Sequence, residues 1–245
     1  MAKRIKKESA FSVEEAVVPY GVTAPAIDTP GERRVLLHGV RWDTYKSILK
    51  DIGDSRACRF AFNSGELEIM SPLQRHESSQ FSIGHLIVAL VDELGLECIG
   101  LESLTCERED LQKAIEPDGC FYIRNFARIN GITEIDFTIH PPPDLMIEVD
   151  ISTNSMNKLP ICAALGVPEH WRFDGEKLEI RLLRNGRYVE STASLSFPHL
   201  PLTEKVPEML KIARHGVLAM GRTFRKWIRD ELSKQKLARP RKKIR

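Results

Sequence analysis

The sequence predicts a single domain of the α/β (α+β) class, a mixed sheet flanked by helices, and three observations carry that expectation. In the run DLMIEVD at 144–150, Leu145, Ile147 and Val149 alternate with Asp144, Met146, Glu148 and Asp150, the period-two pattern of a strand with two unlike faces. Further upstream, Ile83, Leu86, Ile87, Leu90, Val91 and Leu94 fall on one helical stripe, with Gly95 as a stop. Strand and helix patterns then succeed one another with short connections, which favours a sheet with helices packed on it. A chain of 245 residues is long enough for one sizeable core.

Taken in order, residues 1–28 mix charge, proline and small residues without a sustained period and read as a flexible arm. Trp42, Tyr45, Ile48 and Leu49 have the spacing of a short amphipathic helix. RFAFNSGELEIM reads as a hairpin turning at Asn63-Ser64-Gly65, an extension on the N-terminal side of the main sheet. The long helix follows, and then two candidate strands, ECIGLESLT and GCFYI. After the strand at 144–150, a short helix around Lys158 to Leu165 ends at Gly166-Val167-Pro168, with Pro160 tolerated only in its first turn. EHWRFD, KLEIRLL and RYVES complete the sheet as a meander. The main domain is placed at 29–203, with a basic helical extension at 204–245.

Charge is unevenly spread. The formal net charge is +2, yet residues 205–245 hold 14 Lys and Arg against 3 acids. Such a segment can attract a polyanion, because cations near phosphates release condensed counterions; a solvated helical tail is the plainer reading. The five cysteines are scattered and have no Cys-x-x-Cys spacing, as expected of reduced thiols. No apolar run approaches the ~18 residues of a membrane span, and MAKRIKKESAF lacks the apolar stretch of a signal peptide. A cytoplasmic protein with no membrane partner is expected. Walker-type, dinucleotide-binding and Gly-x-Ser-x-Gly motifs are absent from the sequence, and its seven histidines are dispersed rather than grouped for zinc.

Two acids lie at apolar strands: Asp118 in EPDG and Glu148 in DLMIEVD. If those strands are neighbours, both carboxylates can meet at one oxygen-ligated cation. Mg²⁺ commonly takes one or two carboxylates and leaves its other positions to water and phosphate. A cationic side chain nearby would stabilise transition-state charge, and Lys158 is the candidate. Asp144 and Glu148 are about 13 Å apart along a strand, too far to share an ion readily. Plainer readings stand beside these. Pro-Asp-Gly is a common turn, an acid on alternate strand positions can mark a solvated face, and His76 before the long helix can serve as a cap or packing residue.

The run PDLMIEVDISTNSMNKLPICAALGVPEHWRFDG, with GELEIMSPLQRHE and EPDG before it in the same order, resembles the Uma2 (DUF820) family within the PD-(D/E)XK nuclease superfamily. The likeness covers roughly residues 35–185. It implies a restriction-endonuclease-like core and a Mg²⁺- (or Mn²⁺-) dependent endonuclease acting on DNA. It further implies Asp118 and Glu148 as metal ligands, Lys158 as the catalytic cation, and His76 and Asp150 in support. The usual superfamily signature has a lysine two residues after the glutamate. Here that position is Asp150, and Lys158 at the start of the next helix matches the Uma2 arrangement instead. Asp150 is close enough to Glu148 to touch the metal or to accept a bond from Lys158. Many enzymes of this type pair as homodimers to cut both strands, though no stripe in this sequence establishes a dimer. Asp150 at the lysine position also motivates an alternative, a noncatalytic nucleic-acid-binding or interaction protein on a degenerate nuclease fold. The same site chemistry would also permit cleavage of RNA or branched DNA.

Overall fold

The computed structural model describes residues 33–53, 58–102, 104–151 and 155–238, without the side chains of 235–238. The arm read at 1–28 and the last basic residues, 239–245, lie outside them. In chain order come β1 (Arg33–Leu37), α1 (Trp42–Ile52), β2 (Arg59–Asn63), β3 (Glu66–Ser71), α2 (Gln74–Glu93), β4 (Ile99–Leu101), β5 (Cys106–Arg108) and β6 (Lys113–Ile115). They are followed by β7 (Gly119–Tyr122), α3 (Phe126–Ile129), β8 (Leu145–Val149), α4 (Leu159–Ala164), β9 (Glu169–Phe173), β10 (Leu178–Arg184), β11 (Arg187–Ser191), α5 (Leu202–Ala213) and α6 (Val217–Ala238).

The DLMIEVD strand is β8, at the centre of a six-stranded mixed sheet with the order β11-β10-β9-β8-β7-β4. Its pairing with β9 is parallel and that with β7 antiparallel. A parallel neighbour requires a crossover, and α4 lies on the connection from β8 to β9. The expected meander is β9-β10-β11.

The expected hairpin is β2-β3, paired from Arg59↔Met70 to Asn63↔Glu66. Ser64 and Gly65 both have positive φ, 49° and 99°, the signature of a two-residue type I′ turn whose twist suits a hairpin. Rather than extending the first sheet, this hairpin sits inside a second, antiparallel one of five strands, β1-β3-β2-β6-β5. β5 and β6 are three residues each, too short to show a period, and in β1 Val35, Leu36 and Leu37 are consecutive rather than alternating.

Three apolar clusters follow from the two sheets. Leu145, Ile147 and Val149 enter the largest, with Ile83, Leu86 and Ile87 of α2, Val206 and Met209 of α5, and Phe224 and Ile228 of α6. Met146, on the opposite face of β8, joins Ala61, Ile115, Ile161 and Cys162 in a cluster between the sheets and α4. Trp42 and Tyr45 of α1 cover the outer face of the second sheet over Phe60, Phe62 and Leu67. The described residues of 33–238 are thus layered from α1 through the two sheets to α2, α5 and α6. Polar side chains facing inward from both sheets meet in the middle.

The basic C-terminal helix is partly a packing element. Arg225 pairs with Asp92 and Glu93, and Arg229 with Glu93 at 2.7 Å, tying α6 to the end of α2. Within the described residues, no helix is long and apolar enough to cross a membrane.

Asp144 stands apart from Glu148, as its spacing requires. Its carboxylate accepts from the N–H groups of Ile123 and Asn125 at 2.8 and 2.9 Å and from Asn125 Nδ2 at 2.8 Å, fixing the turn after β7. Asp144→Ala would leave these donors without their acceptor, and urea denaturation is expected to show a loss of about 1–3 kcal/mol. Divalent-ion binding is expected to be unchanged.

Candidate active site between the two sheets

The register Gly119↔Ile147 sets Asp118, one residue before β7, opposite Glu148 on β8. Asp118 N–H donates to Ile147 O at 3.2 Å, and its Oδ2 accepts from Val149 N–H at 2.6 Å. The carboxylate bond thus reaches across to β8 rather than into the Pro-Asp-Gly turn itself, and one oxygen of Asp118 secures the strand junction. His76, in the first turn of α2, brings Nε2 to 3.1 Å from Asp118 Oδ2, and Arg59 Nε lies 3.3 Å from Oδ1. Both Asp118 and His76 are fully enclosed. Burial works to raise the Asp118 carboxyl, but His76, Arg59 and Lys158 outweigh it and hold the group below the usual carboxylate range.

Lys158 reaches Glu148 because the crossover helix begins just after it. Its ammonium lies 2.5 Å from Glu148 Oε2 and 4.0 Å from Glu68 Oε1. Burial lowers the lysine's proton affinity, yet the carboxylates of Glu148, Asp118 and Glu68 prevail and keep it a cation. For Glu148 burial dominates and, with the charge of Asp118 across the strand pair, pushes its carboxyl up to about 7 against the pull of Lys158.

Glu68, to which the sequence alone assigns no role, belongs to this cluster. It is 2% exposed, accepts from Arg34 Nη1 at 2.8 Å and from Met156 N–H at 2.7 Å, and faces Lys158 from the second sheet. A signal was available in ELEIM: Glu68 alternates with Leu67 and Ile69 as Glu148 alternates with its neighbours. Arg59 carried no comparable signal, because an arginine at a strand start is ordinary. Asp150 binds Arg172 Nη2 at 3.1 Å, Arg34 Nη2 at 3.3 Å and Ser155 Oγ at 2.6 Å. Those bonds place it at the rim as an anchor for two arginines.

Among the described residues, Glu148 Oε1 and Asp118 Oδ1 are buried and receive no hydrogen bond. Two such oxygens fit a hard cation that keeps most of its water. Among the same residues no group of three or more His, Cys, Asp or Glu side chains could hold a metal, so a dedicated protein cage is not what these side chains form.

A groove of about 1280 Å³ opens beside Asp150 and Arg172, bounded by α2, the β9–β10 turn and α5. Arg75, Lys177, Lys211 and Arg214 line it, and none has a carboxylate partner among the described residues. Ser78 and Ser79 add hydroxyl groups along its α2 wall.

Fold and site together define a class: a two-sheet α+β domain that buries an acidic pair and a lysine between its sheets. The chain belongs to the Uma2 family, described as "putative restriction endonuclease", whose model matches residues 42–214. It is also similar to a crystal structure described as a putative nuclease belonging to DUF820, from Anabaena variabilis. The two share 17% identity over 70% of this chain and 99% of that one, with a TM-score of 0.48. No curated protein matches.

Proposed function

We propose that this protein is a Mg²⁺- or Mn²⁺-dependent endonuclease that hydrolyses phosphodiester bonds in DNA. The observation that carries the reading is the opposition of Asp118 and Glu148 across β7 and β8, with the Lys158 ammonium 2.5 Å from Glu148. Asp118 and Glu148 would hold the ion. When bound, it would supply charge neutralisation at the phosphate and acidify an attacking water. His76 orients Asp118, and Val149 N–H fixes that carboxylate's second role. Lys158 remains charged throughout and stabilises the negative charge that develops on the phosphoryl oxygens. Asp150 takes no part in this chemistry; it holds Arg172 and Arg34 at the rim.

The groove cations support a polyanionic substrate. Phosphate contacts supply sequence-independent affinity and leave a signature in its salt dependence. Lys211→Glu with Arg214→Glu is expected to weaken DNA binding measured in Ca²⁺ and to flatten the slope of log K against log[salt] by ~0.9 for each phosphate that is no longer neutralised. An unchanged slope would remove the groove from the DNA path.

Ligation requires the Glu148 proton to leave, so its raised pKa sets a pH window. Below about 7 the ion competes with a proton, and Mn²⁺ affinity is expected to fall roughly tenfold per pH unit. Above 7 affinity levels off. Calorimetric titration from pH 5.5 to 8.5 checks this, and a flat profile excludes Glu148 as a ligand.

Incubation of the full chain with plasmid DNA, single-stranded DNA and RNA, with and without divalent ions, tests the function itself. Ion-dependent cleavage of DNA is expected. DNA binding with neither ion binding nor cleavage would make the chain the noncatalytic binder.

A further inference from the structure

His170 occupies the second position of β9, between Met146 of β8 and Arg181 of β10 in the sheet register. All three therefore project from the face that carries Glu148, toward the space between the sheets. His170 is 2% exposed, and neither ring nitrogen has a hydrogen-bond partner among the described residues. Tyr188, whose ring centroid is 5.8 Å away, does not serve it, because the tyrosine hydroxyl donates to Val167 O at 2.7 Å. Buried polar groups are almost always satisfied, so an imidazole bare at both nitrogens calls for a ligand or a function.

The imidazole borders a cavity of about 110 Å³, which Glu148, Asp150, Lys158, Arg172 and Arg181 also line. Donors outnumber what their present partners use. An ammonium has three N–H groups and a guanidinium five. Lys158 gives one bond to Glu148, and Arg181 gives one, through Nη2, to Glu179 at 2.5 Å. Arg172 is more committed, to Asp150 and Glu179. Burial, together with the charges of Arg181, Lys158 and Arg172, pushes His170 down to about 3, so its ring is neutral and offers one N–H. A cavity bordered by surplus donors on Lys158, Arg181 and His170 suits a small ligand made of acceptors only.

We propose that this cavity is a phosphate-group site, in which His170, Arg181 and Lys158 donate to the oxygens of one phosphodiester of the substrate. That the anion belongs to a nucleic-acid substrate rests on the nuclease reading above; the anion site does not. Its position next to Glu148 and Lys158 places a bound diester against the acidic pair. His170 is then a substrate-binding residue, and it lies in the PEHWRFD run whose pattern announces only a strand.

The test is calorimetric titration of the full chain, in EDTA, with dimethyl phosphate and with inorganic phosphate. Wild type is compared with His170→Phe, His170→Gln and Arg181→Gln. His170→Phe keeps the ring and removes both nitrogens, and is expected to weaken dimethyl phosphate binding at least ~10-fold, the scale of one missing hydrogen bond to a charged group. His170→Gln restores a donor and is expected to stay within about threefold of wild type. Arg181→Gln should weaken binding with the imidazole intact, which keeps the test decisive if His170→Phe does not fold. A short DNA duplex should displace dimethyl phosphate.

Equal affinity of wild type, His170→Phe and Arg181→Gln, or no binding of either phosphate to wild type, overturns the site; a cavity holding only buried water would give the latter result. Binding of inorganic phosphate alone, not displaced by DNA, overturns the diester assignment. Plasmid cleavage, run in parallel with Mg²⁺, separates the two claims. Cleavage with His170-independent anion binding ends this proposal and leaves the nuclease. His170-dependent binding without cleavage does the reverse.

Discussion

Glu148→Gln is expected to reduce Mg²⁺-dependent DNA cleavage by at least about 10³-fold, the upper range for loss of a single electrostatic stabiliser in a water-poor site. The substitution keeps the volume of the side chain and removes its charge. Glu148 is buried and its Oε1 receives no hydrogen bond from the described residues, so that oxygen is the ligand the substitution takes from the ion. Mn²⁺ affinity should fall with cleavage in the same variant. The fold should survive, because Lys158 still faces Asp118 and Glu68. Removing one member of a buried pair costs about 3–5 kcal/mol, and these remaining carboxylates place the variant at or below the lower end. Chemical denaturation alongside the cleavage assay separates lost chemistry from lost structure. Full cleavage by a folded Glu148→Gln protein would remove the site assignment.

Lys158→Met is expected to split binding from chemistry. The ammonium is the cation next to Glu148 in this structure, and it competes with any ion that approaches the same carboxylate. Without it, Asp118, Glu148 and Glu68 repel one another in a buried space, and a divalent ion relieves that repulsion. Mn²⁺ affinity should therefore rise while cleavage falls by about 10²–10³-fold, as for a missing transition-state donor. Wild-type cleavage in Lys158→Met would leave the lysine a purely structural ion-pair partner. Lys158→Arg is not expected to rescue activity, because a planar guanidinium cannot occupy the volume of a compact ammonium in the same enclosed site.

Much of this was open to reading from residues alone. The period-two alternation in DLMIEVD marked both the strand and the segregation of its faces, and the opposed positions of Leu145 and Glu148 follow from pleat geometry. The stripe from Ile83 to Leu94 marked a helix that does pack into the main core. The length and turn residues of RFAFNSGELEIM defined its hairpin locally. What that pattern could not say was which sheet the hairpin would join. Strand partners are chosen by long-range packing; β5 and β6 are only three residues each, and in β1 Val35, Leu36 and Leu37 are consecutive rather than alternating, so none of the three shows a legible period.

The site divides along the same line. The kinds of residue, two acids at apolar strands and a lysine at a helix start, are a property of the chain, since local spacing decides which side chains share a face. Their convergence is tertiary. Asp118 meets Glu148 only because β7 and β8 are neighbours, and Glu68 meets Lys158 only because a second sheet lies across from the first. That His170 meets no hydrogen-bond partner among the described residues is visible in no local pattern, because whether a buried nitrogen has a partner depends on every element packed around it. Local alternation therefore determined which groups this protein turns inward, and packing between two sheets decided which of them share one low-dielectric space.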